Sequence, residues 1–505
     1  MPTTAANIAD ITNKGAPIPI SDPMNNRILD ILFIQNFYEQ TLGVMSISAV
    51  LKQHGFTTDV AIGSKQQVMD QIAHRQPRVV GFYCTTGFHH KNLAIGVEIK
   101  RKYGDQILTI YGGPHPTFVP ETIHEEGVDA LCRGEGEYAV LELLQALESG
   151  EDYTRIENLT FKKNGEVIEN EIRTLVDVDT LPPPDRELYR NIDFIYQNKR
   201  QEVMLSRGCP FKCTFCTAPS QTEMFREKGT YTRFLSITRA LNQLQEIKEK
   251  YNPSFFLFHD DVFLIKKKDQ EEFFAFYKKK IGLPFGCLLR ADQATDEDFI
   301  ANLKDAGCYL VSFGVETGDE AMRSSILKKQ ISDGQIFKSA ALLHKYKIRF
   351  FTFNIVGLPG ENLSNVWQTV EMNMKLKPSW SWFSVFQPFP GTELARELAT
   401  NTDPSSIDVK ECDASMHESS NFLREHPEGD KILRLKDLAN LIVIAPWMKK
   451  PVEKLLSVPK LKFAIDFLNK VLYFFFYYSE FNVGQNNITR LRSGWFLFRR
   501  LKEFS

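Results

Sequence analysis

The chain has 505 residues, 43% apolar and 25% charged, with a formal net charge of −2. That length exceeds one ordinary hydrophobic core and calls for two or three domains. The near-neutral charge gives no electrostatic ground for a nucleic-acid partner, and eight cysteines are too sparse for a disulfide scaffold. Three of them crowd one loop while Cys84, Cys132, Cys287, Cys308 and Cys412 are scattered, which suits a reducing compartment and a metal site.

Residues 1–26 show no charged-then-apolar signal pattern and read as a loose arm. From 27 to 150 apolar strands alternate with amphipathic helices. Strands are expected at 27–35, 56–62, 78–84, 106–113 and 128–134, and helices at 41–55, 65–75, 90–104 and 137–150. Such alternation implies a doubly wound parallel sheet, which binds ligands beyond the carboxyl ends of its strands. The loops there are CTTG (84–87), GGPHPTFVPE (112–121) and RGEGE (133–137). Each alone is compatible with plain turn chemistry. A dinucleotide site is disfavoured, because Glu135 and Glu137 would repel a pyrophosphate and no G-x-G-x-x-G opens a helix after the first strand. A hairpin follows at 156–171 around Asn164-Gly165. The first domain thus spans 27–180, and a proline-rich linker spans 181–198.

Residues 199–395 repeat strand and helix six times. Polar residues end the strands: Arg207, Asp260 with Asp261, Arg290, Glu316, Asn354 and Gln387. Six units imply an open, partial β/α barrel, whose site is built at the carboxyl ends of its strands. Any one of these residues alone is explained by capping or solvation.

The loop SRGCPFKCTFC (206–216) follows the first of these strands and spaces Cys209, Cys213 and Cys216 as C-x3-C-x2-C. Structural zinc takes four ligands, and the next cysteine is Cys287. Thiol redox chemistry uses a pair and leaves one cysteine unexplained. An iron–sulfur cluster fits better: three thiolates leave one iron without a protein ligand, a defect in a structural metal and an asset in a catalytic one.

With Phe215 before its last cysteine, this loop resembles that of the radical S-adenosylmethionine (SAM) superfamily. The resemblance implies a [4Fe-4S] cluster on the three cysteines, SAM on the open iron, and reductive cleavage to a 5′-deoxyadenosyl radical. It further implies SAM contacts at Phe215, Asp260, Asp261, Arg290, Glu316, Asn354 and Gln387. The first domain resembles the cobalamin-binding domain found in many such enzymes. Its matching residues are Leu42, Gly43, Thr85, Thr86, Gly112, Gly113, His115, Gly134 and Glu137. The D-x-H-x-x-G of cobalamin mutases is missing, so the resemblance implies cobalamin held without a histidine ligand to cobalt. The activity implied is methylation of an unactivated carbon, or a phosphorus, through a substrate radical and methylcobalamin. The alternatives are a non-methylating cyclisation or rearrangement and, in another class, a cobalamin-based sensor. An external donor such as flavodoxin or ferredoxin would supply electrons.

The tail, 396–505, is expected to be helical and aromatic-rich, with helices at 431–450 and 461–481. Lys462, Asp466, Asn469 and Lys470 interrupt the latter and argue against a membrane span. Two readings stay open: a helical bundle capping the barrel mouth, or an interfacial surface for membrane or a lipophilic substrate. The expected location is cytoplasmic, with peripheral contact at the inner membrane face as the second reading.

Overall fold

The structure is a computed structural model that describes residues 29–456, except 197, 265, 402–411 and 413–419. The N-terminal arm, the segment 461–481, the basic-aromatic end at 493–504 and much of the polar stretch at 400–430 lie outside the described residues.

The first domain is a seven-stranded sheet ordered β2-β1-β3-β4-β5-β6-β7. Its strands are β1 (Ile31–Gln35), β2 (Thr58–Ile62), β3 (Val79–Tyr83), β4 (Leu108–Gly112), β5 (Ala130–Cys132), β6 (Leu159–Lys163) and β7 (Glu166–Glu169). The first five are parallel, and the expected hairpin joins them as an antiparallel edge. Alternation sorts the side chains of β1. Ile31 and Phe33 pack with Val44, Leu51 and Leu143, from α1 (Leu42–Gln53) and the helix 137–149. Leu32 and Ile34 face the opposite layer, with Val68 and Ile72 of α2 (Lys65–Arg75) and Ile95 and Ile99 of α3 (His89–Tyr103). Both faces are covered, which is why these strands read as unbroken apolar runs. Ser64 and Gln67 form a capping box that starts α2.

GGPHPTFVPE is more than a loop. Proline at the first helical position lets Pro114–Phe118 wind into a short helix, α4; α5 (Glu137–Ser149) closes the domain. Nor is the proline-rich linker a free tether. Arg186 is buried, and its guanidinium donates to Gln40 (2.9 Å), Gln201 (2.8 Å) and the Glu202 carbonyl (2.7 Å), crossing the domain boundary.

The second sheet is ordered β15-β14-β13-β12-β11-β8, all parallel. Its strands are β8 (Arg200–Val203), β11 (Phe255–Phe258), β12 (Phe285–Leu288), β13 (Cys308–Glu316), β14 (Arg349–Val356) and β15 (Trp380–Val385). β8 and β15 do not pair, so the barrel is open, as expected. Its convex face packs Phe256, Phe258, Phe285, Val311 and Phe313 beneath the helices. A two-stranded ribbon, β9 (Ser206–Arg207) with β10 (Arg233–Phe234), brackets the cysteine loop.

The helix Gly429–Ile444 does not lie over the barrel mouth. Ile432, Leu435, Leu438 and Ile442 pack with Val366, Val370, Phe383 and Val385 on the outer layer beside β15. Among the described C-terminal residues it is Phe422 that reaches toward the mouth, against Phe386.

Candidate active site

The cysteine loop leaves the carboxyl end of β8 through Gly208, at φ +83°, where an added Cβ would lie 2.7 Å from the Tyr231 carbonyl oxygen. Only glycine fits that turn and approach. Buried Thr214 pins the loop's centre: its N–H donates to the Leu327 carbonyl (3.1 Å), its hydroxyl to that of Ile326 (2.6 Å), and its own carbonyl accepts from Leu394 (3.0 Å). Cys209, Cys213 and Cys216 flank this anchor, all free and half-buried. Among the described residues no group of three His, Cys, Asp or Glu converges as a single ion's ligands. A cubane instead takes each thiolate on a different iron, so three neighbouring, separated thiols fit it. Burial raises all three thiol pKa values, Cys216 to about 11; bound metal would reverse this by stabilising the thiolates.

Around the loop, the expected SAM residues divide. Glu316 has φ +64°, a left-handed backbone rare outside glycine. A register shift between Gly314 and Glu316 aims its carboxylate back along β13, where Lys329 holds it at 2.7 Å; the missing Cβ at Gly314 makes the room. Arg290 stacks on Phe211, 3.6 Å from the ring centroid, pairs with Asp292 and lies against Cys213. Asp261 is exposed beside Cys209 and Cys216. Gln387 is buried where β15 ends. Phe215 is half-buried in an apolar cluster with Leu327, Leu358 and Phe386.

Two expectations are corrected. Asp260 does not face the loop's open side: fully buried, it accepts from the Leu205 N–H (2.9 Å) and the Ser206 hydroxyl (2.5 Å), latching β11 to the segment entering the cysteine loop. Asn354 points outward. Its amide donates to the Trp382 carbonyl (3.0 Å), and its oxygen accepts from Asn373 (2.8 Å) on the helix layer. By alternation, Phe353 and Ile355 face the barrel interior instead.

The cobalamin residues divide too. Gly43 is exposed, with open space at its missing Cβ. Leu42 beside it is half-buried, as are Thr85, Thr86 and Gly112. Gly113, at φ +105°, approaches the Cys84 carbonyl so closely that a Cβ would lie 2.9 Å away. These residues lie at the carboxyl ends of β1, β3 and β4, the edge at which such a sheet binds ligands, and the open space at Gly43 leaves room there. His115 is buried in α4, stacked on His89 at 4.0 Å, with Nδ1 3.1 Å from the Thr86 hydroxyl. Burial pushes His115 down to about 4 and His89 to about 3, so both are neutral. Gly134 stays at this edge, its N–H donating to the Thr117 hydroxyl of α4 (3.2 Å), while the Glu137 carboxylate is engaged by the barrel domain. The ring of Phe225 occupies the space above Gly134, and Glu137 pairs with Arg207 at 2.6 Å.

The carboxyl-end loops of the two sheets meet. Phe118, after β4, packs on Gly391, after β15. Glu39, after β1, lies beside Arg200, Glu202 and His259 at the first two barrel strands. Arg200 grips Glu202 (2.7 and 3.1 Å), whose other oxygen meets the His259 imidazole. Burial and Glu202 raise the pKa of Glu39, although its side chain is solvent-exposed. This cluster escaped the sequence reading. Its one signal was the polar strand β8 itself, Arg-Gln-Glu-Val, where the other barrel strands are largely apolar.

An open parallel barrel with three cysteines at its first strand end defines a radical SAM enzyme. The radical SAM superfamily model matches residues 203–372. The B12 binding domain model matches 36–144. The chain therefore carries both domains of a cobalamin-dependent radical SAM enzyme, and its cofactors are an iron–sulfur cluster, SAM and cobalamin. An uncharacterized methyltransferase of Pyrococcus horikoshii is 29% identical over 63% of this chain and 68% of its own length. The anaerobic magnesium-protoporphyrin IX monomethyl ester cyclase of Rubrivivax gelatinosus is 26% identical over 71% and 66%. The chain thus spans about two thirds of these relatives. The radical SAM methyltransferase TsrM from Kitasatospora setae shares the fold, with TM-score 0.60 and 17% identity over 74% of this chain and 75% of that one.

Proposed function

We propose that this chain methylates an unactivated carbon, or a phosphorus, of a small or lipophilic metabolite. The observation that carries this is the meeting of the two carboxyl-end edges, one carrying the cysteine loop and one carrying the expected cobalamin residues. When bound, the cluster supplies the electron that cleaves SAM, and cobalamin supplies a transferable methyl group. Cys209, Cys213 and Cys216 would hold the cluster. Glu316 would accept from the ribose hydroxyls, Arg290 would pair with the SAM carboxylate, and Asp261 and Gln387 would complete the SAM site. Thr85, Thr86 and the backbone at Gly43 and Gly113 would hold cobalamin. Glu39 and His259 are placed to orient a hydrogen-bonding group of the substrate, which fixes its C–H bond between the cofactors.

One observation favours a second reading, oxidative cyclisation. The Rubrivivax gelatinosus relative, 26% identical over 71% of this chain, is a cyclase. Anaerobic turnover of cell extract with methyl-deuterated SAM separates the two. A product carrying the whole trideuteromethyl increment supports methylation; deoxyadenosine with an unlabelled, dehydrogenated product supports cyclisation.

A flavodoxin- or ferredoxin-type donor would deliver the electron. No helix of the described residues is long and apolar enough to cross a membrane. Peripheral contact is supported by Trp447 (75% exposed) and Ile444 (60%), next to Lys449 and Lys450. Sedimentation with anionic liposomes tests it: Trp447→Ser staying bound like the parent would remove the idea.

A further inference from the structure

We infer that the β5–α5 loop of the cobalamin domain is a positioning clamp on the cluster-binding loop, completing from across the domain boundary the charge balance of the ribbon that carries Cys209. Arg207 on β9 and Arg233 on β10 are direct cross-strand partners. Like charges directly opposite on a two-stranded ribbon repel, and this ribbon is only four residues in all. The compensating carboxylates come from the other domain. Glu135 takes Arg207 at 2.9 Å and Arg233 at 2.5 Å through the same oxygen, and its second oxygen takes Arg233 again at 3.1 Å. Glu137, the first residue of α5, takes Arg207 at 2.6 Å, and Ser46 of α1 accepts from the same guanidinium at 3.1 Å.

The charges are matched, two guanidinium groups against two carboxylates, and all four side chains are at most 19% exposed. In such surroundings an ion pair is weakly screened, and removing one partner strands the other. Arg207 stands two residues before Cys209, and the turn between them is fixed by Gly208 against Tyr231. Movement of Arg207 therefore passes to the first cluster ligand. At its other end the clamp grips the loop after β5, on the same edge of the sheet as the cobalamin residues of β3 and β4. Residues 134–137 hold the two cofactor sites in register, which explains why Glu135 and Glu137 meet Arg207. The consequence rests on the two-cofactor reading; the clamp itself does not. Because the coupling is a free energy between sites, it is reciprocal: an ordered cobalamin domain slows cluster loss, and an ordered cluster loop tightens cobalamin.

The test uses the full chain, reconstituted anaerobically with iron, sulfide and cobalamin. It compares Glu135→Gln, Arg233→Gln, the double variant, and Arg186→Gln as a domain contact away from the ribbon. Two quantities are read: the rate of iron release to a ferrous chelator, and the distance distribution between cob(II)alamin and the reduced cluster by pulsed EPR. Glu135→Gln is expected to release iron roughly tenfold faster with a broadened distribution. The double variant, relieved of the facing arginines, is expected to recover most of both losses. Arg186→Gln is expected to leave iron release at the parent rate. A Glu135→Gln chain that fails to fold where the double variant folds also supports the clamp. Parent-like behaviour of Glu135→Gln, a double variant no better than the single, or an equal effect from Arg186→Gln overturns it. Failure of the parent to incorporate iron at all would count against the cluster assignment, not the clamp.

Discussion

Asp260→Asn separates a structural latch from a SAM ligand. Asp260 is 1% exposed, its Oδ1 holds Leu205 and Ser206, and its Oδ2 is buried without a hydrogen-bond partner. Burial pushes its pKa to about 7. The gap from the ordinary 3.8 to about 7 is worth up to about 4 kcal/mol at about 1.36 kcal/mol per pKa unit. The folded state binds the proton more tightly than the unfolded one. Barrel stability from this group is therefore full below pH 4, falls as pH rises toward 7, and is flat above. Asparagine keeps the accepting oxygen but leaves a buried amide unpaired, a pH-independent cost of about 1–3 kcal/mol. All five tryptophans lie at or beyond position 367, so their fluorescence reads the barrel and tail and not the first domain. In urea melts of the cofactor-free chain, the advantage of the parent over Asp260→Asn should shrink by up to about 4 kcal/mol between pH 4 and 8. SAM affinity of the cluster-loaded variant should stay at the parent value. A pH-independent difference, or a large loss of SAM affinity at full cluster content, would refute the latch.

Four further outcomes follow from the same geometry. Asn354→Ala should cost the barrel roughly 1–3 kcal/mol by removing the buried hydrogen bonds to the Trp382 carbonyl and from Asn373, with SAM affinity unchanged, whereas Ile355→Ala should weaken SAM binding more than it lowers stability; calorimetric titration and urea melts read both. Glu316→Gln should lower SAM affinity and strand buried Lys329, a cost of about 3–5 kcal/mol; adding Lys329→Met should restore stability but not SAM binding. His89 and His115, held neutral by burial, contribute stability above pH 6.5 that is lost as pH falls toward about 3 and about 4 respectively. Circular dichroism should therefore show the first domain melting in acid, an opposite trend to the barrel. The EPR spectrum of bound cob(II)alamin should show no protein-nitrogen splitting, with or without His115→Gln; splitting lost in that variant would make His115 the cobalt ligand.

Periodicity located the barrel strands from β11 to β15, because an apolar run between helices has few alternatives in a parallel sheet; β8 is polar and lies mostly before the apolar run expected at 202–206. The cysteine loop was legible for a different reason: its chemistry is local in sequence. Phase was not legible. Both faces of β14 are covered, so the sequence did not say that Asn354 faces the helices and Ile355 the interior. Partners distant in sequence were equally hidden. Glu135 and Glu137 sit in a loop that resembles a cofactor loop, and only the fold brings Arg207 and Arg233 to them. Asp260 shows the same limit: an acid at a strand end reads as a ligand contact until its hydrogen bonds are known. Glu39, Glu202 and His259 come from three separate elements, and no spacing links them.

The central claim is that three cysteines at the mouth of an open barrel make a SAM-cleaving centre. It is tested most directly by deoxyadenosine formation in the reconstituted, reduced chain. The parent should show cluster absorbance and release 5′-deoxyadenosine and methionine on adding SAM, and Cys213→Ala should lose both the absorbance and the cleavage. Cleavage retained by Cys213→Ala would contradict the account.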